Sequence, residues 1–181
     1  RQIGLEPCAV DPADVDEAPL RRETPVAHAR RLAAAKAKVV SARHPGRIVL
    51  GADTVVVCSR RILPKAGDEA EARRCLGLLS GRRHRVLGGV CIVGPDQRPR
   101  QAVVTSIVRF KRLSARETDA YIASGEWRGK AGGYAIQGLA GAFAVRIIGS
   151  YSAVVGLPLY ETAALLAGEG YPVLTPWFER A

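Results

Sequence analysis

The stretch RIVLGADTVVV, residues 47–57, decides the fold class of this chain. It is an apolar run of strand length that follows a break at residues 44–46 (His-Pro-Gly), and it carries one acidic residue, Asp53. A run of this kind predicts a buried strand. Thr24 followed by Pro25 predicts the start of a helix that ends before the break, so a helix leads directly into the buried strand.

Helix and strand patterns alternate along the rest of the chain. Asp68 and Ser114 each precede a glutamate by three residues, which predicts two capped helices, and residues 157–158 (Leu-Pro) open a last one. The strand patterns HRVLGGVCIV and AVVTSIVRF flank residues 94–96 (Gly-Pro-Asp), which predicts an antiparallel hairpin, and AFAVRII is a further strand pattern. This order predicts an α/β protein with a mixed sheet, and the length of 181 residues predicts a single domain, residues 1–181.

The chain carries a formal net charge of +10, which favours an anionic partner. A phosphate-bearing ligand and a solvated arginine-rich surface explain this charge equally well. Nucleic acid is not the expected partner, because aromatic residues make up only 6% of the chain, too few for the stacking surface of a single-strand binder. No apolar run approaches the ~20 residues that a bilayer crossing needs, so no membrane partner is expected.

The four cysteines are Cys8, Cys58, Cys75 and Cys91, and no two of them form a CxxC pair. Their spacing argues against a zinc site and against a disulfide framework. It predicts buried free thiols in a cytosolic protein. The first residues contain no apolar segment typical of a signal peptide, so the predicted localisation is cytoplasmic.

Asp53 is the strongest candidate for a functional residue, because an ionised carboxylate in a buried strand is costly unless it is paired or binds a metal. We expect it near the end of the regular strand and beside a cleft, where α/β proteins gather their ligand sites. A buried salt bridge and a turn-forming aspartate are the alternatives.

Two further charged positions have two interpretations each. Lys36 lies on the first helix beside the apolar residues Leu32, Val39 and Val40. It either binds phosphate or extends its ammonium group to solvent at the rim of the core. The acidic segment DPADVDE, residues 11–17, is either a solvated loop or the source of a Mg²⁺ ligand at Asp16 or Glu17, and the residues alone favour the loop.

Seven motifs are spread in order over nearly the whole chain. They are VDE (15–17), RLAAAKA (31–37), GADTVV (51–56), PKAGDEA (64–70), LLSGRRHRV (78–86), SGEWRGKAGGYAIQG (124–138) and GSYSAVVGLPLYE (149–161). In their order and spacing they closely resemble one family, the Maf-type nucleoside triphosphate pyrophosphatases, first known as septum-formation inhibitors. The GxGxxG and GxxxxGK[ST] motifs of other nucleotide-binding classes are absent from the sequence.

The resemblance implies an enzyme that hydrolyses a nucleoside triphosphate between its α and β phosphates, giving the monophosphate and pyrophosphate. It implies an elongated mixed β-sheet flanked by helices, with a central nucleotide cleft between two lobes, as in inosine-triphosphatase-like proteins. A divalent metal cation, Mg²⁺ or Mn²⁺, is the expected cofactor. The family also suggests a homodimer.

Individual positions take their roles from the family motifs. Asp53 resembles the catalytic base that activates water, and Glu17 resembles the acidic position near the metal and the phosphates, so both are candidate metal ligands. Thr54 and Gln137 resemble the positions that discriminate between substrates. The chain also matches the motif lysines of the family: Lys36, Lys65 and Lys130.

The segment GKAGGYAIQG, residues 129–138, places four glycines around Lys130 and Gln137. Glycines allow backbone N–H groups to approach phosphate oxygens closely, and Lys130 would supply a point charge. The donor and the acceptor of the Gln137 amide suit the O4 and N3–H edge of thymine or uracil. The segment and the GADT pattern resemble the subgroup that prefers dTTP and UTP, so we predict a preference for pyrimidine nucleotides, modified ones included.

The chain departs from the family pattern in two places. The family usually reads GKP where this chain reads PKA, residues 64–66, and this weakens the assignment of Lys65 relative to Lys130. The family also opens with a strand and an SxSPRR phosphate-binding loop, whereas this chain begins with RQIGLEP, which matches the family just after that loop. We expect the native gene product to carry the loop. A chain without it would favour the alternative function, a catalytically impaired nucleotide-binding protein that acts in cell-division arrest.

Overall fold

The computed structural model describes residues 2–178. In chain order its elements are α1 (Pro25–Arg43), β1 (Val49–Cys58), β2 (Arg61–Leu63), α2 (Glu69–Leu79), β3 (Arg83–Val93), β4 (Pro99–Phe110), α3 (Ala115–Ser124), a 3₁₀ helix (Leu139–Phe143), β5 (Ala144–Ile148), α4 (Tyr151–Val155), α5 (Leu159–Gly168) and α6 (Thr175–Phe178). Within residues 2–178, no helix combines the length and the apolar character that a membrane crossing requires. The predicted α/β class is confirmed.

The five strands form one sheet in the order β2-β1-β3-β4-β5, and neighbouring strands run antiparallel. The predicted hairpin between β3 and β4 is confirmed, with the Gln97 amide donating to the Gly94 carbonyl over 3.0 Å. A mixed sheet was predicted, but every strand pair that the structure describes is antiparallel. Helix α2 does connect two strands that run in the same direction, β2 and β3, but β1 lies between them and no parallel ladder forms.

The predicted starts of α1, α2 and α3 are confirmed by their caps, whereas α5 begins after Pro158 without a side-chain cap. The Thr24 side chain accepts from the amide of Ala27 at the start of α1, and Ser114 and Glu117 form a complete capping box before α3. The strand pattern AFAVRII starts later than predicted, because its first two residues belong to the 3₁₀ helix and β5 begins at Ala144. Helices α4 and α6 were not predicted, since five and four residues are too few to show a helical period, so the helix predicted as the last, α5, is followed by another.

Helix α1 lies directly on one face of the sheet, and two glycines make this possible. A Cβ atom on Gly51 would come within 2.5 Å of the Ala33 carbonyl oxygen, and one on Gly89 within 2.4 Å of the Ala29 carbonyl oxygen. Any side chain at these positions of β1 and β3 would therefore push the helix away. The close packing brings the side chain of Lys36 on α1 to the level of Asp53 on β1.

The opposite face of the sheet carries the larger hydrophobic core. The core is built around the buried side chains of Val56, Leu76, Phe110, Tyr121 and Phe143, among others. Edge-to-face contacts connect its aromatic rings, with 5.5 Å between the ring centroids of Tyr121 and Phe143. This core packs against the sheet face opposite α1, while the candidate site lies along the edge of β1.

The four cysteines are free thiols. Three of them are buried as predicted, but the prediction is wrong for Cys8, which is exposed. The residues around Cys8 form neither helix nor strand, and residues 6–10 are all exposed.

Candidate active site

An open cleft of about 240 Å³ lies along the edge of β1. A second cleft of about 310 Å³ adjoins it and shares Asp53, Thr54 and Lys65 with the first. Together the two clefts are lined by every residue that the sequence proposed for the site: Glu17, Lys36, Asp53, Thr54, Lys65, Lys130 and Gln137. The structure therefore brings together positions that lie up to 120 residues apart in the chain.

Asp53 lies in the middle of β1, opposite Gly89 of β3. The prediction that it would lie near the end of the strand is wrong. It reaches the cleft because β2 pairs only with Val56–Cys58, so among the described residues the stretch 49–55 is paired on one side only. An open strand edge, rather than a strand end, exposes this position to the cleft.

Asp53 is 6% exposed, and its carboxylate is paired with Lys36. The Lys36 ammonium lies 2.6 Å from Asp53 Oδ1 and 2.6 Å from Glu17 Oε1. Burial disfavours the charge on Lys36, but the hydrogen bonds to Asp53 and Glu17 outweigh this effect and raise the pKa of Lys36. Lys36 is thus a charged group inside the site and does not extend to solvent.

Glu17 bridges two lysines, Lys36 through one carboxylate oxygen and Lys65 through the other. Burial acts to raise the pKa of Glu17, but the hydrogen bonds from Lys36 and Lys65 outweigh it and lower that pKa. Glu17 therefore lies in a loop, as the residues alone favour, but its carboxylate is paired with two lysines of the cleft. We refer to Glu17, Lys36, Asp53 and Lys65 as the charged side of the cleft.

Residues 129–138, the glycine loop, form the other side. Gly129, Gly132 and Gly133 adopt positive φ angles of 66°, 68° and 69°. Their amides donate to backbone carbonyl groups, namely those of Ala66, Pro64 and Lys130. The amides of these three glycines are thus used within the chain, and the approach of the loop backbone to phosphate stays a prediction. The glycines allow left-handed turns and a close approach to Val56, whose Cγ1 would lie 2.9 Å from a Cβ on Gly132.

The end of the glycine loop is held by a residue that the sequence did not suggest. Glu126 Oε2 accepts from the amide of Leu139 over 2.8 Å, and Gly138 packs against the same carboxylate. The side chain of Gln137, the residue before Gly138, is exposed and lines the cleft. No spacing rule would have found Glu126, because its partner is a backbone amide 13 residues away.

Tyr134 forms part of the cleft wall and was also missed. Its hydroxyl lies 2.8 Å from His84 Nε2, and both residues are buried. Burial lowers the pKa of His84 to about 4 and raises the pKa of Tyr134, so both are neutral near pH 7. The hydrogen bond fixes the orientation of the Tyr134 ring in the wall.

The donor set suits a cation that is shared with substrate. Within residues 2–178, no three or more His, Cys, Asp or Glu side chains converge on one metal position. The carboxylates of Glu17 and Asp53 do converge, since both contact the Lys36 ammonium. Mg²⁺ commonly uses one or two carboxylates and completes its shell with water and phosphate oxygens, so these residues fit a divalent cation that is bound together with a phosphate group.

Comparison with known proteins matches the chain to one family. A family model described as Maf-like protein matches residues 1–169. The "dTTP/UTP pyrophosphatase" of Paramagnetospirillum magneticum is 65% identical over 171 residues, which cover 94% of this chain and 90% of that protein. Proteins of the same name from Caulobacter vibrioides and Mesorhizobium japonicum are 61% and 54% identical, over 94% and 98% of this chain and 88% of each relative.

Proposed function

The chain belongs to the Maf-like protein family, and we propose that it is a nucleoside triphosphate pyrophosphatase that hydrolyses dTTP and UTP to the monophosphate and pyrophosphate. The observation that carries this proposal is the position of Asp53, a buried residue whose carboxylate lies in a cleft lined by three lysines. The relatives described above support it, since each is named a dTTP/UTP pyrophosphatase and matches nearly the whole chain.

The three lysines of the cleft are suited to bind the triphosphate. Lys36 and Lys65 are neutralised by carboxylates in the free protein, while Lys130 is exposed at the cleft. We propose that Lys130 attracts the phosphates first, and that Lys36 and Lys65 then contact phosphate oxygens at the cost of part of their contact with Glu17. Phosphoryl transfer depends mainly on such positioning and charge neutralisation.

Asp53 is proposed as the general base. Lys36 occupies Oδ1 of Asp53, which leaves Oδ2 to accept a proton from the attacking water. The water oxygen forms a bond to the α phosphorus while the bond between that phosphorus and the oxygen bridging to the β phosphate breaks, and pyrophosphate leaves. The pairing with Lys36 keeps Asp53 oriented toward the cleft, as proton transfer requires.

Mg²⁺ or Mn²⁺ is proposed as the cofactor, with Glu17 and Asp53 as its protein ligands. When bound, such a cation neutralises phosphate charge and holds phosphate oxygens in position. The oxygen donors of Glu17 and Asp53 are those that both ions prefer.

Discrimination of the base is proposed for Gln137 and Thr54. The exposed amide of Gln137 has one acceptor and one donor arm, which match N3–H and O4 of thymine or uracil. Thr54 lies beside Asp53 in the shared lining of both clefts. Val56, Tyr134 and Val154 add an apolar wall on which a pyrimidine ring could rest.

A cytoplasmic location and a homodimer are further proposals. The location is supported by the four cysteines, which are free thiols as is typical of cytosolic proteins. The homodimer is supported by strand β5, an edge strand that exposes Val145 and Ile148 by 60% and 46%. The alternative of a nucleotide-binding protein that acts in cell-division arrest without hydrolysis is not favoured, because the site contains a paired base and three lysines.

The proposal is tested by measuring pyrophosphate release by this 181-residue chain. The substrates are dTTP, UTP, CTP and 7-methyl-GTP, each with Mg²⁺ or Mn²⁺, and Asp53→Ala is the control. We expect release from dTTP and UTP that is lost in the variant. Fastest release from 7-methyl-GTP, or no release from a chain that is folded by circular dichroism, would contradict the proposal.

A further inference from the structure

Glu17 comes from a segment without regular structure. Residues 5–20 form neither helix nor strand, yet the Glu17 carboxylate meets Lys36 and Lys65 at the centre of the cleft. A side chain on an irregular segment keeps one position only if other contacts hold its backbone. These contacts are found a few residues further along the chain, at Glu23.

The Glu23 carboxylate is a buried centre of hydrogen bonds. Its side chain is 7% exposed. Oε1 accepts from Arg31 Nε over 2.7 Å, and Oε2 accepts from Arg31 Nη2 and from the Leu20 amide, each over 3.0 Å. His28 Nδ1 lies 2.9 Å from Oε2. The two-pronged contact with Arg31 is the strongest geometry available to an arginine–carboxylate pair.

Arg31 also holds the backbone next to Glu17. Its Nη2 donates to the carbonyl oxygen of Ala18 over 2.9 Å. One guanidinium therefore binds the segment at both ends, at Ala18 and at Glu23. Arg31 and Lys36 both belong to α1, so the same helix fixes the backbone beside Glu17 and contacts its carboxylate.

We propose that the Glu23–Arg31 pair is a positioning device that sets the Glu17 carboxylate beside Asp53. This inference rests on the proposed function, since it assigns the pair a purpose at the proposed active site. Neither residue lines either cleft, and neither is offered as a catalytic residue. Their effect reaches the site through the backbone between Ala18 and Glu23.

The main test is a double-mutant cycle on pyrophosphate release from dTTP. Displacement of a catalytic group by about 1 Å costs on the order of 100-fold in rate, so Arg31→Ala should lower kcat/KM by about 10- to 100-fold. In a Glu17→Gln background the same substitution should change kcat/KM very little, because the group that it displaces is already disabled. Arg31→Lys keeps the charge but loses the two-pronged contact, and should restore part of the activity.

A second measurement does not depend on activity. A zero-length carbodiimide couples contacting lysine and carboxylate side chains, and mass spectrometry measures the yield. The Glu17–Lys65 contact reports the position of Glu17, and the Lys111–Glu117 contact is an internal reference of similar exposure. We expect the Glu17–Lys65 yield to fall several-fold relative to the reference in Arg31→Ala.

The control variant is Arg73→Ala. It likewise removes an arginine that is paired with carboxylates, here Glu69 and Asp119, and Arg73 does not line either cleft. It should change neither the rate nor the Glu17–Lys65 yield. If Arg31→Ala does not fold, Glu23→Gln replaces it, since glutamine keeps the size and an acceptor but loses the charge. The decreases in kcat/KM and in the Glu17–Lys65 yield should then be smaller but of the same kind.

The outcomes separate the two proposals. If Arg31→Ala lowers kcat/KM equally in the unsubstituted chain and in the Glu17→Gln background, the pair has a general structural role and the inference is overturned. An unchanged Glu17–Lys65 yield in Arg31→Ala would overturn it as well. If the unsubstituted chain releases no pyrophosphate, the proposed function fails, and the coupling yield alone then decides whether the pair positions Glu17.

Discussion

The charged side of the cleft is held together by its side chains, whereas the glycine loop is held together by its backbone. On the charged side, ion pairs of 2.6 Å join Lys36 to Glu17 and to Asp53. In the glycine loop, three glycines with positive φ direct their amides to backbone carbonyl groups, and the side chains of Lys130 and Gln137 line the cleft from this loop.

This difference determines what a substitution can damage. A change of charge on the charged side alters the chemistry while the strand and helix that carry it stay in place. A Cβ atom added to the glycine loop alters the backbone itself, because left-handed φ angles are costly for residues with side chains. We therefore expect losses of activity without unfolding on one side and losses of stability on the other.

The largest effect is expected for Asp53→Asn. Asparagine keeps the size and an acceptor for Lys36, but it cannot take up a proton from water. General-base catalysis contributes about 10²- to 10⁴-fold, so pyrophosphate release from dTTP should fall by roughly 10³-fold. The melting temperature should change little, because Lys36 keeps Glu17 as a charged partner.

Asp96→Asn is the matched control for this prediction. Asp96 is paired with Arg100 beside the β3–β4 turn, so the same chemical change there should leave the rate unaltered. A rate loss below about tenfold in Asp53→Asn, far under the usual contribution of a general base, would show that the charged side does not supply one.

Gly132→Ala tests the glycine loop. The residue has φ +68°, and its new Cβ would lie 2.9 Å from Val56 Cγ1. Strain and overpacking together should cost about 2–4 kcal/mol of unfolding free energy, measured by urea denaturation. Gly77→Ala is the control, since Gly77 lies within α2 with open space around it, and there alanine should stabilise by about 0.5–1 kcal/mol. Equal effects of the two substitutions would contradict the backbone role.

Glu126 sharpens the comparison, because it is a side chain that acts on the glycine loop. Glu126→Ala removes the acceptor of the Leu139 amide, a loss comparable to that of a helix cap, about 1 kcal/mol. The freed Gln137 should discriminate less well, so the preference for dTTP over CTP should fall by roughly fivefold, the equivalent of that free energy. Glu126→Gln keeps an acceptor and should retain the preference. An unchanged preference in both variants would show that Glu126 does not affect the discrimination by Gln137.

The features that the sequence predicted correctly depend on neighbouring residues. The caps at Thr24 and Ser114 and the turn at residues 94–96 are local patterns, and their chemistry acts over three or four residues. The strand of three residues, β2, was missed because it is too short to show a period.

The features that the sequence did not predict depend on distant pairing. Asp53 was expected at a strand end because nothing local shows which edge of β1 stays open. The amides of the glycine loop were assigned to phosphate, although those of Gly129 and Gly132 donate to the distant carbonyl groups of residues 64–66. The site residues were predicted through motifs, whereas Glu23, Arg31 and Glu126 act through partners that only the fold brings close.

The smallest effect is expected for the pH dependence of the unfolding free energy that Glu23 contributes. The hydrogen bond from Arg31 is the main cause that lowers the pKa of Glu23 from 4.5 to about 2. Since the folded state has the lower pKa, the stabilisation by Glu23 is complete above pH 4.5 and is lost as the pH falls toward 2. The difference in unfolding free energy between the unsubstituted chain and Glu23→Gln should be about 1 kcal/mol at about pH 6, the scale of a partly solvated ion pair.

Urea denaturation at several pH values between about 6 and 3 measures this difference directly. It should be constant down to about pH 5, above the unfolded pKa of glutamate, and should then shrink steadily. A difference that stays constant to about pH 3 would show that Glu23 acts through its size and hydrogen-bond acceptors alone. The charge of Glu23 would then add nothing to the attachment of the segment that carries Glu17, and the charged side would resemble the glycine loop in depending on shape more than on charge.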